Sequence, residues 1–113
     1  MRHLTHRSDA NQQGIIKMLR EFGATVVDLQ NVGNGCPDLM VGYLGRTFLV
    51  EVKSETGKLN KRQEAFHKSW RGDKILVVRS PLDALTEIIR INREESILEK
   101  DAARWAREEG IEL

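Results

Sequence analysis

The spacing of apolar residues along the chain predicts a mixture of helices and short strands. Near the N-terminus, Ile15, Leu19 and Phe22 recur at positions i, i+4 and i+7, a spacing that places side chains on one helix face. Later segments are short apolar runs rich in β-branched residues, which favour strands. In chain order the predicted elements are a helix over 9–22, strands within 24–30, 38–44 and 47–53, a helix over 60–71, a strand over 75–79, a helix from 80 and a last helix over about 94–109. This order predicts an α/β fold in which helices flank a mixed sheet.

Capping and turn residues set the boundaries of these elements. Asp9, followed three residues later by Gln12, resembles a capping box at the start of the first helix. Ser80-Pro81 has the serine cap and first-turn proline of a helix start. Gly45-Arg46, between two apolar runs, predicts a two-residue hairpin loop of type II′. The apolar side chains expected on the buried faces of the two C-terminal helices are Leu82, Leu85, Ile88 and Ile89, and then Leu98, Ala102 and Trp105.

The predicted hairpin brings three charged residues to one place. In its register Met40 lies opposite Glu51 and Asp38 lies opposite Lys53, and directly opposed residues share a face of the sheet. Glu51 and Lys53 share a face with each other because the strand period is two. We therefore expect Asp38, Glu51 and Lys53 to project from one face near one end of the sheet. A slip of one residue would separate Asp38 from the other two.

These three side chains suit metal-dependent phosphoryl chemistry. Two neighbouring carboxylates repel each other, and a divalent cation relieves that repulsion. Mg²⁺ prefers hard oxygen ligands and binds through one or two carboxylates together with a substrate phosphate. It also lowers the pKa of a bound water. Lys53 would either orient that water or offset charge on the phosphate, and the sequence leaves both roles open. The alternative interpretation of the same residues is a surface salt-bridge network.

Length and composition are those of a single soluble domain, 1–113. The chain is 40% hydrophobic and 31% charged, and it contains no apolar run long enough to span a membrane. Its first residues lack the apolar segment of a secretory signal. The single cysteine, Cys36, is typical of a reducing compartment. We therefore expect a cytoplasmic protein with no membrane partner.

Positive charge is concentrated in the middle of the chain. The net charge is only +1, but residues 53–82 carry eight basic and three acidic side chains, whereas residues 83–113 carry five basic and nine acidic ones. A basic segment directly after the charged cluster is a candidate contact for a phosphate backbone, and a solvated helix face is the alternative. The candidate DNA contacts are Lys58, Lys61, Arg62 and Lys68.

At these residues the sequence resembles the PD-(D/E)xK nuclease superfamily. Pro37-Asp38 matches the first element of its motif and Glu51-Val52-Lys53 the second. Within the superfamily the chain resembles the small stand-alone virus-type replication-repair nuclease (VRR-NUC) domains. The matching segments are Gly35-Cys36-Pro37-Asp38, residues 48–53 and residues 57–63. The resemblance covers about 9–90 and leaves a C-terminal helical extension over about 91–113 outside the shared pattern.

The resemblance implies a fold and a set of site residues. The implied fold is a restriction-endonuclease-like core of order αβββαβ, with a mixed four-stranded sheet. The implied catalytic residues are Asp38, Glu51, Lys53, Gln63 and Glu21. The implied metal ligands for Mg²⁺ or Mn²⁺ are Asp38, Glu51, the backbone carbonyl of Val52 and Glu21. For Glu21, an exposed glutamate at a helix end is an equally good interpretation of the sequence.

The resemblance also implies an activity. Relatives of this size are homodimers that cut branched DNA such as Holliday junctions, in a bacterial cell or a phage-infected host. The chain is too short for a separate sequence-reading domain, which favours recognition of DNA shape. An exonuclease or single-strand nuclease with the same site, and a catalytically silent DNA-binding module, are the alternatives. His67 is interpreted as an ordinary surface histidine, and Cys36 as a packed side chain rather than a nucleophile. His3 and His6 are expected to be inert.

Overall fold

The computed structural model describes residues 7–110, with side chains described for 10–94 and 101–110, so His3 and His6 lie outside the described residues. The elements in chain order are α1 (Arg7–Glu21), β1 (Thr25–Asp28), β2 (Leu39–Tyr43), β3 (Arg46–Val52), α2 (Lys61–Ser69), β4 (Leu76–Val78) and α3 (Pro81–Glu108). The four strands form one mixed sheet of order β1-β2-β3-β4. The α/β class and the mixed four-stranded sheet predicted from the sequence are confirmed.

The two predicted C-terminal helices are one continuous helix, which corrects the sequence interpretation. α3 runs for 28 residues, and between its first-turn proline and Glu108 the sequence contains no glycine or proline to end it. Ion pairs from Arg90 to Glu87 and Glu94 support the helix where the break was expected. Its buried face agrees with the prediction only in part. Ile88 is buried as predicted, but Leu82 and Trp105 are exposed, and Ala84, which was not predicted, is buried. The side chain of Leu98 lies outside the described residues.

The hairpin between β2 and β3 turns one residue earlier than predicted. Tyr43 pairs with Arg46, so the loop consists of Leu44 and Gly45, with φ of +48° and +81°. Two positive φ values in a two-residue loop define a type I′ turn, so the predicted type II′ turn is wrong. The pairing is shifted by two residues, and a shift of two leaves every side chain on its predicted face.

One face of the sheet packs on α1 and α3, and the hydrophobic core lies between them. On β3 the residues of this face are Phe48, Val50 and Val52, all buried. Glu51 therefore points to the opposite face, where its contacts come from α2. Within residues 7–110, no helix has the length and apolar character needed to cross a membrane.

Candidate active site

Asp38 and Glu51 lie side by side at one end of the sheet. Continuing the β2–β3 register beyond Leu39 and Val50 places Asp38 next to Glu51, rather than opposite Lys53 as predicted. Asp38 is held by the backbone N–H of Val52, which donates to its Oδ2 at 2.8 Å. This bond places the carboxyl group just outside the end of β2, where the chain enters the strand.

Glu51 is a buried carboxyl group with a strongly perturbed pKa. Only 1% of the residue is exposed. Burial, together with a hydrogen bond and charge repulsion from Asp38, raises the pKa of Glu51 to about 8, although Lys53 opposes the shift. Its Oε1 has no hydrogen-bond partner among the described residues. A buried carboxylate pair of this kind is relieved either by a shared proton or by a cation.

Gln63 connects the glutamate to the lysine. Its Oε1 accepts a hydrogen bond from Lys53 Nζ at 2.8 Å, and its Nε2 approaches Glu51 Oε2 at 3.4 Å. Gln63 is itself oriented by a capping box, because its Oε1 also accepts from the backbone N–H of Asn60 while Asn60 Oδ1 accepts from the N–H of Gln63. The cap that begins α2 thus fixes the glutamine against the lysine.

A cleft of about 330 Å³ opens over these groups. The residues that line it are Gln12, Gln30, Asp38, Glu51, Val52, Lys53, Ser54, Gly57 and Gln63. The predicted residues Asp38, Glu51, Lys53 and Gln63 are therefore brought together in one cleft. The N–H and C=O groups of one strand residue point toward the same neighbouring strand. The N–H of Val52 points toward Asp38, so the carbonyl of Val52 also points toward Asp38.

The donor set of this cleft fits a divalent cation. It offers a backbone carbonyl and two carboxylates, and one carboxylate oxygen, Glu51 Oε1, has no hydrogen-bond partner among the described residues. These are hard oxygen ligands of the kind that Mg²⁺ and Mn²⁺ bind. Among the side chains that the structure describes, those of residues 10–94 and 101–110, no group of three or more from His, Cys, Asp and Glu is arranged to hold a metal. A cation here would complete its coordination with water and substrate oxygens, as Mg²⁺ commonly does.

Glu21 is not brought to the cleft. It ends α1, is exposed and lies 4.0 Å from Lys17. The neighbouring Phe22 packs on Tyr43, which ends β2 on the side away from Asp38. The structure therefore favours the alternative interpretation of Glu21, an exposed glutamate at a helix end, over a metal ligand.

Gln12 is the residue of α1 that lines the cleft. It lies nine residues, or about 13 Å along the helix, from Glu21. The residue is buried, its Oε1 lies 3.5 Å from Gln30 Nε2, and its own Nε2 has no partner among the described residues. Because α1 already includes Arg7, Gln12 belongs to the helix interior, and the predicted capping box with Asp9 is wrong. A buried glutamine with a free donor in a cleft is a group that can bind an anionic oxygen.

His67 is the second site residue that the sequence interpretation missed. Its side chain is only 16% exposed, and its Nε2 lies 3.6 Å from Glu51 Oε1. Burial and the nearby charge of Lys53 lower the pKa of His67, so its neutral form is favoured. The signal in the sequence was its position four residues after Gln63, which puts both on one helix face.

Two loops are fixed around the cleft by backbone contacts. Gly35 has φ of +79° and lies so close to the first turn of α2 that a Cβ there would be 2.3 Å from the carbonyl oxygen of Arg62. On the other side, Arg79 Nη1 donates to the carbonyl oxygens of Ser54 and Gly57 at 2.6 and 2.7 Å. The Gly35 contact holds α2 against the loop before Asp38. The Arg79 hydrogen bonds hold the loop after Lys53 against the end of β4.

Cys36 is half-buried in the loop that precedes Asp38. Burial, and then the charges of Glu51 and Asp38, raise the pKa of its thiol. Because the thiolate is the reactive form, these surroundings disfavour a nucleophilic role for the cysteine, in agreement with its interpretation as a packed side chain.

The basic residues expected to contact DNA lie on α2 or just before it. All four are exposed: Lys58, Lys61, Arg62 and Lys68. Lys61 and Lys68 are seven residues apart and therefore share the helix face turned away from the Gln63 side. Lys58 directly follows Gly57, which lines the cleft. Positive charge thus lies next to the cleft at Lys58 and on the outer face of α2 at Lys61 and Lys68.

Comparison with known proteins supports the fold. A solved structure described as a VRR_NUC domain is 26% identical to this chain, with a TM-score of 0.59 over 72% of this chain and 92% of that one. No family model matches the chain, and no curated protein matches it. The chain therefore has a restriction-endonuclease-like fold of the VRR-NUC type, as the motif resemblance implied.

Proposed function

We propose that this chain is a divalent-metal-dependent DNA nuclease that hydrolyses phosphodiester bonds. The observation that carries the proposal is the meeting of Asp38, Glu51, Lys53 and Gln63 in one cleft. The name of the similar structure, a VRR_NUC domain, points to the same class of activity. Two carboxylates, a lysine and a glutamine around a cleft beside exposed basic residues are the parts that phosphodiester hydrolysis requires.

In this proposal the residues have separate tasks. Asp38, Glu51 and the Val52 carbonyl would hold Mg²⁺ or Mn²⁺, which when bound would supply Lewis-acid chemistry at the phosphoryl oxygen and a water of lowered pKa. Lys53 holds its positive charge where the scissile phosphate binds, because Gln63 Oε1 fixes its Nζ. Gln12 offers its free amide N–H groups to a phosphate oxygen. Glu51 would hold the ion as a carboxylate, and it would therefore have to give up the proton that its raised pKa favours.

Lys58, Lys61, Arg62 and Lys68 bind the phosphate backbone beside the cleft. Contacts of this kind position DNA without reading its sequence, which favours recognition of DNA by its shape. We therefore propose that the substrate is branched DNA, such as a four-way junction, recognised by its shape. A panel of labelled junctions, flaps, duplexes and single strands tests this, and preference for single strands or ends would favour the alternative nuclease activities.

Paired cuts on a symmetric junction require two active sites, so we propose a homodimer with two-fold symmetry. The last two turns of α3, over residues 101–108, offer an exposed surface for such contact, including Trp105, which is 56% exposed. Sedimentation velocity at micromolar protein concentration should give about twice the monomer mass. A monomer under those conditions contradicts paired cutting.

The substitution Lys53→Ala tests the catalytic assignment. Loss of the ammonium group should lower cleavage of branched DNA in Mn²⁺ by about 100-fold or more, each tenfold step being about 1.4 kcal/mol of barrier. DNA affinity measured in Ca²⁺ or chelator should remain near wild type. Lys17→Ala, which removes an exposed lysine of α1 that does not line the cleft, is the matched control. Equal cleavage by the two variants would remove Lys53 from the mechanism.

A further inference from the structure

One face of α2 is turned toward Glu51. Gln63 and His67 are spaced at i and i+4, so they share this face. Every residue of α2 is described and none is buried. The helix is therefore held at the site by a small number of specific contacts rather than by a buried apolar stripe.

Two of these contacts meet the carboxylate of Glu51 from adjacent helical turns. Gln63 Nε2 lies 3.4 Å from Oε2, and His67 Nε2 lies 3.6 Å from Oε1. Neither Glu51 Oε1 nor His67 Nε2 has a hydrogen-bond partner among the described residues. Their separation is a few tenths of an ångström longer than a hydrogen bond, so a small approach of α2 would satisfy both buried atoms together.

The position of His67 suits a supporting role. Among the described residues that line the cleft, Gln63 is the member from α2, and His67 is not among them. The imidazole therefore meets Glu51 outside the cleft in which a phosphate would bind. A donor in this position fixes the orientation of a carboxylate without competing with its ligand.

We infer that His67 is a positioning residue, which orients Glu51 toward a divalent cation by donating from Nε2 to Oε1. Gln63 holds Oε2 from the preceding turn, so the two side chains fix both oxygens of one carboxylate. The inference rests on the proposed function, because that proposal supplies the cation. It assigns to His67 a role in metal affinity as well as in cleavage.

Three substitutions of His67 separate the effect of its hydrogen-bond donor from the effect of its ring volume. The amide nitrogen of Gln can occupy the place of Nε2, whereas the amide nitrogen of Asn corresponds to Nδ1, and Phe fills the ring volume with no donor. Calorimetric titration with Mn²⁺, without DNA, should show about tenfold weaker binding for His67→Asn and His67→Phe. His67→Gln should stay within about threefold of wild type. Glu64→Gln, on the exposed side of the same helix, is the control and should bind Mn²⁺ as the wild type does.

Melting temperatures measured in chelator identify any variant that does not fold. If His67→Phe does not fold, the comparison of His67→Gln with His67→Asn tests the inference. Wild-type Mn²⁺ affinity in the Asn variant would overturn the inference, and so would an equal loss in the Gln and Asn variants, since that indicates packing alone. If the wild type binds Mn²⁺ and cuts DNA while the Asn variant does both equally well, only this inference fails. A wild type that neither binds Mn²⁺ nor cuts DNA overturns the proposed function together with it.

Discussion

Gly35 offers the sharpest test of how the cleft is assembled. A Cβ at this position would lie 2.3 Å from the carbonyl oxygen of Arg62 and 3.0 Å from the amide nitrogen of Gln63, whereas ordinary contact begins near 3.4 Å. Because both obstacles are backbone atoms, the Gly35→Ala substitution must separate the loop from α2 by about 1 Å. Gln63 Oε1, now 2.8 Å from Lys53 Nζ, would then be beyond hydrogen-bond distance.

The expected cost has two parts. An alanine at φ of +79° is strained by about 1–2 kcal/mol, and the steric conflict with α2 should add about 1–3 kcal/mol. Displacement of a catalytic side chain by about 1 Å should lower cleavage by about 100-fold. Urea denaturation followed by tryptophan fluorescence gives the first quantity, and cleavage of a labelled junction at saturating Mn²⁺ gives the second.

Gly33→Ala is a matched control in the same loop. Gly33 also has φ of +79°, but no described atom lies within 4 Å of the position its Cβ would take. This variant should lose only the part of stability that comes from backbone strain, and its cleavage rate should stay near wild type. If both variants lose equal stability and equal activity, α2 is not held in place through Gly35 and the reasoning is refuted.

Two further predictions concern Glu51 and the basic residues. The pKa of Glu51 rises from 4.5 to about 8 on folding, so its contribution to stability is present below pH 4.5 and is lost as pH rises through 8. In chelator, Glu51→Gln should therefore be more stable than wild type at pH 9, by about 1.4 kcal/mol for each unit of the shift, and equal stability there would contradict the assignment. Lys61→Ala combined with Arg62→Ala should weaken binding to all DNA sequences and lower the slope of log affinity against log salt by about 1–2. Lys17→Ala with Arg104→Ala removes the same charge elsewhere, and identical slopes for the two double variants would exclude α2 as a DNA contact.

The charged cluster was predictable although its turn was not. Leu44 accepts a positive φ that its side chain disfavours, so nothing local distinguished a loop at Leu44-Gly45 from one at Gly45-Arg46. The error was two residues in register, and the strand period is also two. Asp38, Glu51 and Lys53 therefore share a face in either register, and only the closest neighbour of Asp38 changed.

The contribution of α1 to the cleft was not predictable in the same way. Periodicity identified a helix and its buried residues Ile15 and Leu19, but periodicity repeats at every turn. Which turn lies over the cleft depends on how the helix crosses the sheet, and this depends on packing against α3. The structure places Gln12 there, while Glu21 lies about 13 Å further along the helix axis.

The strands, the α/β class and the shared face of Asp38, Glu51 and Lys53 could be read from the residue order, because they follow from local periodicity. The position of α2 against Glu51, with Gly35 at its first turn and His67 beside the carboxylate, could be seen only in the folded chain. Such contacts join segments that are distant along the chain, through distances of a few ångströms. They depend on how the helix and sheet are oriented in space, and no spacing of residues along the chain encodes that orientation.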